Sequence, residues 1–170
     1  MIMGAILLCT NRAPHGIAEC ERALSLDHNL AEAHAQIGTA KHLLARGAEV
    51  EEHMREAFRL SPRDAFAFRW LMIAGFAKLH IEADTKAVEC FLRSIEANRN
   101  FAIAHFGLAA SLALVGHRDQ ARAAVETGLA LNPTFTIHRF RDGIMSNNPA
   151  FLVNRERVYE GMRMAGIPEG

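Results

Sequence analysis

The chain has 170 residues, of which half are hydrophobic, and this is enough for one well-buried domain but not for a second sizeable one. Nineteen basic residues balance nineteen acidic ones, which argues against a charged surface that attracts nucleic acid or membranes over long distances. The three cysteines have no Cys-x-x-Cys spacing, so we expect neither a disulfide framework nor a zinc site, and the chain is predicted to be cytoplasmic.

The first residues are predicted to be the remnant of a helix. Residues 1–9 are apolar but too short to cross a bilayer, and they lack the basic leader of a signal peptide. Pro14 can then open a second helix, in which Ile17, Cys20 and Leu24 recur at helical spacing. This incomplete unit covers residues 1–30 and suggests that Met1 lies inside a longer reading frame.

Three blocks of the chain then repeat one another. They open with Ala31-Glu32-Ala33-His34, Ala65-Phe66-Ala67-Phe68 and Ala102-Ile103-Ala104-His105, and they span residues 31–64, 65–101 and 102–135. A period near 34 residues predicts a solenoid of helix pairs, because one pair cannot bury its apolar face without a neighbour. Gly47 and Gly116 should separate the helices of the first and third blocks. The three extra residues of the second block are expected in its turn, near residues 82–84.

The repeat fades after residue 135, and residues 136–170 are predicted to form two further helices. Ile137, Phe140 and Ile144 belong to the first, while the second runs from about Pro149 to Ala165 and stops at Gly166. A terminal helix with a charged face would shield the last repeat from water. The prediction is therefore one all-α domain over residues 1–170, a superhelical solenoid of antiparallel helix pairs with a C-terminal capping helix.

These blocks resemble the tetratricopeptide repeat (TPR) family over about residues 12–135. The resemblance is carried by the block lengths and by Gly38, Ala109, Ala121, Pro62 and Pro133. The chain departs from the family pattern at three positions: His28 and Arg99 stand where proline is preferred, and Trp70 is not at the usual aromatic position. The resemblance implies a module that binds other proteins.

A narrower resemblance involves residues 60–64, 94–116 and 132–137, which look like the C-terminal TPR region of bacterial class III adenylate/guanylate cyclases. Residues 157–169 are similar to the closing helix of those proteins. This resemblance implies a regulatory region whose catalytic half lies upstream. Because similar tails follow winged-helix transcriptional regulators, the effector half of such a regulator is an alternative, and a free-standing TPR adaptor is another.

No motif of an active site occurs in the sequence, so the chain itself is predicted not to be an enzyme and to need no cofactor or metal. It contains no glycine-rich phosphate loop, no His-Glu-x-x-His and no Gly-x-Ser-x-Gly. The nine histidines include no pair at a spacing of three or four residues. His34 and His105 occupy equivalent places in two repeats, which favours packing over metal ligation.

The concave surface of such a solenoid is lined by the first helix of each pair. Helical spacing assigns eight candidate groove residues to it: Thr39, His42, Arg69, Trp70, Ile73, Phe76, Phe106 and Ala110. Two interpretations remain open. The apolar residues are either core, buried under adjacent helices or under the C-terminal helix, or they bind an amphipathic helix of a protein partner or a second copy. In the second case Arg69 beside Trp70 is the predicted hot spot of binding. Neither nucleic acid nor a membrane is a predicted partner.

Overall fold

The computed structural model describes residues 12–170, which form nine α-helices and no strand, as predicted. The helices are α1 Ala13–Leu26, α2 Ala31–Leu43, α3 Gly47–Leu60, α4 Ala67–His80, α5 Asp84–Ala97, α6 Ala102–Leu114, α7 Arg118–Leu131, α8 Ile137–Asp142 and α9 Pro149–Ala165. None of these helices is long and apolar enough to cross a membrane. The predicted first helix lies within residues 1–11, outside the described residues.

The helices pair and stack as a solenoid. The pairs are α2 with α3, α4 with α5 and α6 with α7, and the second helix of each pair also packs on the first helix of the next. α1 packs on α2 in the same way, so α1 stands in the place of a second helix before the first of these pairs. The second helices bury one stripe each: α3 buries Val50, Met54 and Ala57, and α5 buries Ala87, Phe91 and Ser94.

The turn within each pair has the same length, which corrects the prediction for the second block. Three residues separate α2 from α3, α4 from α5 and α6 from α7. The extra residues lie instead at the junction between α3 and α4 and in the first turn of α4. Asp64 closes this longer junction, since its carboxylate accepts hydrogen bonds from the backbone N–H of Phe66 at 2.8 Å and from the hydroxyl of Ser61 at 3.2 Å.

Each of these three turns places its second residue in the left-handed region. The residues are Ala45 (φ +61°), Glu82 (φ +59°) and Gly116 (φ +87°). Gly116 therefore separates the two helices of its pair, as predicted. Gly47 does not lie in the turn between α2 and α3. It begins α3, where a Cβ would lie 3.0 Å from the carbonyl oxygen of Ala77. Gly47 thus serves close packing of α3 on α4.

The C-terminal helix α9 has the predicted bounds. The side chain of Asn148 accepts a hydrogen bond from the N–H of Phe151 at 3.1 Å, Pro149 starts the helix, and Gly166 ends it with φ +89°. α9 packs against α6, α4 and α7, on the face that the first helices line. It buries Phe151, Val158, Tyr159 and Met162 there.

Candidate functional site

The concave face of the solenoid is occupied by the chain's own α9. A Cβ at Gly161 would lie 2.8 Å from the carbonyl oxygen of Ala110, so the backbone of α9 rests directly on α6. The guanidinium of Arg155 lies 4.2 Å from the Phe140 ring centroid and 5.6 Å from that of Phe76. α9 therefore fills the C-terminal part of the predicted groove as an amphipathic helix would.

Three of the candidate groove residues lie under this C-terminal segment. Ala110 contacts α9 at Gly161, and the buried Phe76 faces Arg155. His42 is also buried, with its ring 5.2 Å from that of Phe151. Among the described residues these positions thus correspond to the interpretation in which the C-terminal helix folds back.

Two further candidates belong to the core between helices. Trp70 is 4% exposed and makes an edge contact with Phe58 of α3, with ring centroids 5.4 Å apart. Phe106 is fully buried and stacks on Phe135 at 3.8 Å. Both side chains lie under adjacent helices, and neither offers a surface to a partner.

The remaining three candidates reach the surface. Arg69 is exposed, and Thr39 and Ile73 are half-buried. The Arg69 guanidinium lies 5.5 Å from the ring centroid of Phe66, whose side chain is 52% exposed. The exposed aromatic beside Arg69 is therefore Phe66 rather than the predicted Trp70, because the longer junction before α4 brings Phe66 onto the same helix face.

A buried cluster that the sequence pattern did not predict is formed by four residues of α2, α4 and α9: His42, His80, Phe151 and Arg155. The rings of His42 and His80 lie 4.6 Å apart, and the Phe151 ring lies 5.2 Å and 5.0 Å from them. Burial lowers the pKa of His80 to about 4, with the positive charge of Arg155 contributing, and burial lowers the pKa of His42 well below its usual value. Both rings are therefore neutral near pH 7.

His105, one of the two histidines predicted to be structural, has a local role. Its Nε2 lies 3.0 Å from the carbonyl oxygen of Arg99, in the loop before α6. His34 is the equivalent residue of α2, and its ring lies 6.1 Å from that of His53. No three His, Cys, Asp or Glu side chains in the described part of the chain come together as a metal site would require.

The opposite, convex side of the solenoid carries two grooves between successive second helices. The first outer groove lies between α3 and α5 over α4, has a volume of about 290 Å³, and is lined by Gly47, Val50, Glu51, Met54, Arg55, Phe58, Leu71, Ala74, Ala77, Lys78, Cys90 and Arg93. The second outer groove lies between α5 and α7 over α6 and has a volume of about 620 Å³. Its lining is Val88, Leu92, Ile95, His105, Leu108, Leu112, His117, Gln120, Ala123, Ala124 and Thr127.

The sequence-based prediction missed these grooves because it considered only the concave side. A position-by-position comparison of the second helices would have pointed to them. Arg55 and Leu92 occupy equivalent places, as do Arg93 and Thr127, and exposed residues of such different character on a repeated scaffold indicate different surfaces.

Neither a protein-family model nor a curated protein sequence matches the chain. Several solved structures, however, are similar to the chain. MamA is 20% identical, with a TM-score of 0.69 over 97% of this chain and 93% of that one. YrrB, described as a TPR protein with an unusual peptide-binding site, is 22% identical, with a TM-score of 0.65 over 95% of this chain and 80% of that one.

A third similar structure is TTC0263, a thermophilic TPR protein in Thermus thermophilus. It is 19% identical, with a TM-score of 0.65 over 96% of this chain and 86% of that one. At such low identity the likeness concerns the fold. The chain therefore has the helical solenoid fold of the tetratricopeptide repeat proteins.

Proposed function

We propose that this chain is a non-catalytic protein-interaction module that binds a protein partner, or a second copy of itself, at the open part of its concave face. The observation that carries the proposal is the exposed pair Phe66 and Arg69, aligned with Ile73 along one side of α4. Arginine and aromatic residues contribute much of the binding energy of protein interfaces when a partner buries them. Thr39 on α2 belongs to the same proposed surface.

The fold supports this choice of function. A TPR solenoid presents an extended surface built from repeated helices, and the similar structures include one described as having a peptide-binding site. α9 already fills the C-terminal part of the concave face with Phe151, Val158 and Met162. This intramolecular helix limits the proposed site to the part of the face formed by α2 and the start of α4.

Photo-crosslinking tests the proposal. With Phe66 replaced by p-benzoylphenylalanine, we expect the chain to crosslink to a protein partner or to a second copy in the cells that produce it. Arg69→Ala in the same chain should reduce the yield at least fivefold. The matched control is the same photoreactive residue at Leu131, which is also exposed but lies at the end of α7. Equal crosslinking from both positions, or none from position 66, contradicts the proposal.

The finer proposal is that the module is the regulatory C-terminal region of an adenylate/guanylate cyclase. It is supported by the resemblance of residues 94–116 and 157–169 to that region. The chain assayed alone should form no cyclic nucleotide from ATP or GTP. Reading the source DNA upstream of the Met1 codon tests the context: an in-frame cyclase domain supports the proposal, and its absence contradicts it.

A further inference from the structure

We propose that the first outer groove, on the convex side of the solenoid, binds a short protein segment in which a bulky apolar residue lies among acidic ones. The proposal rests on the interaction function above for the class of its ligand, a protein segment, but not for its site. The groove has an apolar floor and a positively charged rim, and its shape matches an extended chain.

The floor and walls of the groove are apolar. Val50, Met54 and Phe58 come from α3, and Leu71 and Ala74 come from α4. The smallest of these is Ala74, whose equivalent in the second outer groove is Leu108. Because alanine has no side-chain atoms beyond Cβ, the lining at position 74 leaves room that the leucine occupies in the second outer groove, and we infer that one apolar side chain of a ligand lies there.

The rim of the groove is positively charged. Arg55, Lys78 and Arg93 line it, whereas Leu92, Leu112 and Thr127 stand at the equivalent positions of the second outer groove. Glu51 is the only carboxylate among the lining residues.

Glu51 forms an ion pair with only one of these three cations. It forms an ion pair with Lys78, whose hydrogen bond and charge lower the pKa of the Glu51 carboxyl. Arg55 and Arg93 form no ion pair within residues 12–170. Two unpaired guanidinium groups therefore stand at the mouth of an apolar groove, which is the arrangement that complements carboxylates on an apolar segment.

The shape of the groove favours a peptide over a compact small molecule. Its wall on α3 runs from Gly47 to Phe58, a distance of about 16 Å along a helix. An extended chain covers this length with about five residues. The Arg93 guanidinium lies 5.7 Å from the Phe58 ring centroid, so a carboxylate bound by Arg93 would place the neighbouring ligand residue over the apolar wall.

Cys90 provides a reporter inside the groove. Its thiol is half-buried among the lining residues, and burial raises its pKa. In the Cys9→Ser, Cys20→Ser variant Cys90 is the only thiol of the chain. A bound segment should slow alkylation of Cys90 by iodoacetamide, whereas a segment bound on the concave face should not.

The test is selection from a random dodecapeptide phage library, followed by fluorescence anisotropy with the enriched peptides. We expect enriched sequences with net negative charge and at least one bulky apolar residue. They should bind Arg55→Glu, Arg93→Glu at least tenfold more weakly than the unmodified chain. Ala74→Leu, which copies the second outer groove, should also weaken binding at least tenfold while leaving the helical circular dichroism unchanged. The matched control is Arg118→Glu, Arg122→Glu, two exposed cations of α7 that line neither groove.

Each other outcome overturns the proposal. Such outcomes are enriched peptides without acidic character, no enrichment at all, equal binding to the Arg55/Arg93 variant, or unprotected Cys90. Peptides that lose affinity with Arg69→Ala but keep it with Arg55→Glu, Arg93→Glu leave the interaction function standing and reject the outer groove. Acidic peptides that protect Cys90, combined with no crosslinking from position 66, reject the concave site and support the outer groove.

Discussion

The buried side chain of His80 links the stability of the fold to the pH of the solution. His80 has no hydrogen-bond partner for either ring nitrogen within residues 12–170, and Arg155 of α9 brings a positive charge to its cluster. The folded state therefore holds this ring neutral, with a pKa of about 4 against 6.5 in an unfolded chain. Protonation of His80 favours the unfolded state.

Stability should consequently fall as the pH falls through this window. Above about pH 6.5 the contribution of His80 is constant, and between pH 7 and pH 5 its share of the unfolding free energy should decrease by about 2 kcal/mol. His42, whose pKa is lowered in the same direction, adds to the loss. Urea unfolding at pH 7, 6 and 5 measures this dependence.

Two variants isolate the effect. His80→Phe should weaken the pH dependence and leave the part due to His42, because an aromatic ring then fills the same space beside His42 and Phe151 without titrating. His28→Gln, at an exposed position between α1 and α2, should leave it unchanged. An unaltered pH slope in His80→Phe would show that another group is responsible.

A second residue-scale prediction concerns the double variant Trp70→Ala, Phe106→Ala. Each truncation in a core costs about 3–5 kcal/mol, and the whole folded domain is stable by only about 5–15 kcal/mol. The double variant should therefore lose its helical circular dichroism at room temperature. Phe66→Ala, at the exposed aromatic residue, should keep it. A folded double variant would mean that these side chains belong to a surface and not to the core.

Helical periodicity could predict that Trp70 and Phe106 face away from water, but it could not identify what covers them. The same stripe of apolar residues fits a core and an open groove. The answer depends on residues far along the chain: Phe135 covers Phe106, and α9 covers Phe76. The outer grooves could be recognised in the sequence only by comparing the second helices of successive repeats, in which Leu92 stands at the place of Arg55.

At the scale of elements, the docking of α9 depends on a close backbone approach. A methyl group at Gly161 would meet the Ala110 carbonyl oxygen at 2.8 Å and the Leu114 side chain at 3.0 Å. Gly161→Ala gains about 1 kcal/mol of helix propensity, but overpacking costs about 1–3 kcal/mol. We expect a net loss of about 1 kcal/mol in thermal or urea unfolding.

The matched control for this variant is Gly143→Ala, at the end of α8. A Cβ there meets its neighbours at ordinary contact distances of 3.6 Å or more. This substitution should therefore not destabilise the chain. If Gly161→Ala instead raised the stability, the backbone of α9 would not rest directly on α6.

The bounds of α9 were predictable because its signals are local. Asn148, Pro149 and Gly166 specify its start and its end without reference to the rest of the fold. The junction before α4 was not predictable in this way, since Asp64 closes it through contacts with Phe66 and Ser61 that the repeat pattern does not contain. The position at which α4 begins is therefore accompanied by contacts within the connecting loop that the spacing of the repeats does not reveal.

At the scale of the whole molecule, α9 links repeats that a simple solenoid would couple only through neighbours. It packs on α4, α6 and α7, Phe151 reaches His42 of α2, and Arg157 forms an ion pair with Asp84 of α5. In most repeat proteins each unit contacts only the adjacent ones. We therefore expect unfolding to be one cooperative transition across residues 12–170.

Urea unfolding followed by two probes tests this expectation. Fluorescence of Trp70, the only tryptophan, reports on α4, and circular dichroism reports on all helices. The two transitions should coincide in the unmodified chain and separate in Val158→Asp, which places a charge at a fully buried position of α9. Val153→Asp, at a largely exposed position of the same helix, is the control. Coincident transitions in Val158→Asp would show that neighbour contacts suffice.

Removing residues 149–170 is the stronger perturbation. It uncovers Phe76 on α4 and Ala110 on α6, both buried in the intact chain, and so exposes a contiguous apolar patch. The truncated chain should self-associate, which light scattering after size-exclusion chromatography measures. A truncated chain that remained monomeric and equally stable would contradict the capping role of α9.

Two hydrogen bonds of the C-terminal residues also allow the release of the segment that follows α9 to be measured by hydrogen exchange. The amides of Ile137 and His138 donate hydrogen bonds, both of 2.9 Å, to the carbonyl oxygens of Pro168 and Glu169. As these residues begin α8, their amide protons have no partner within their own helix. Deuterium uptake at these two amides therefore follows release of the C-terminal residues, and comparison with amides inside α6 distinguishes opening of the tail from unfolding of the whole molecule.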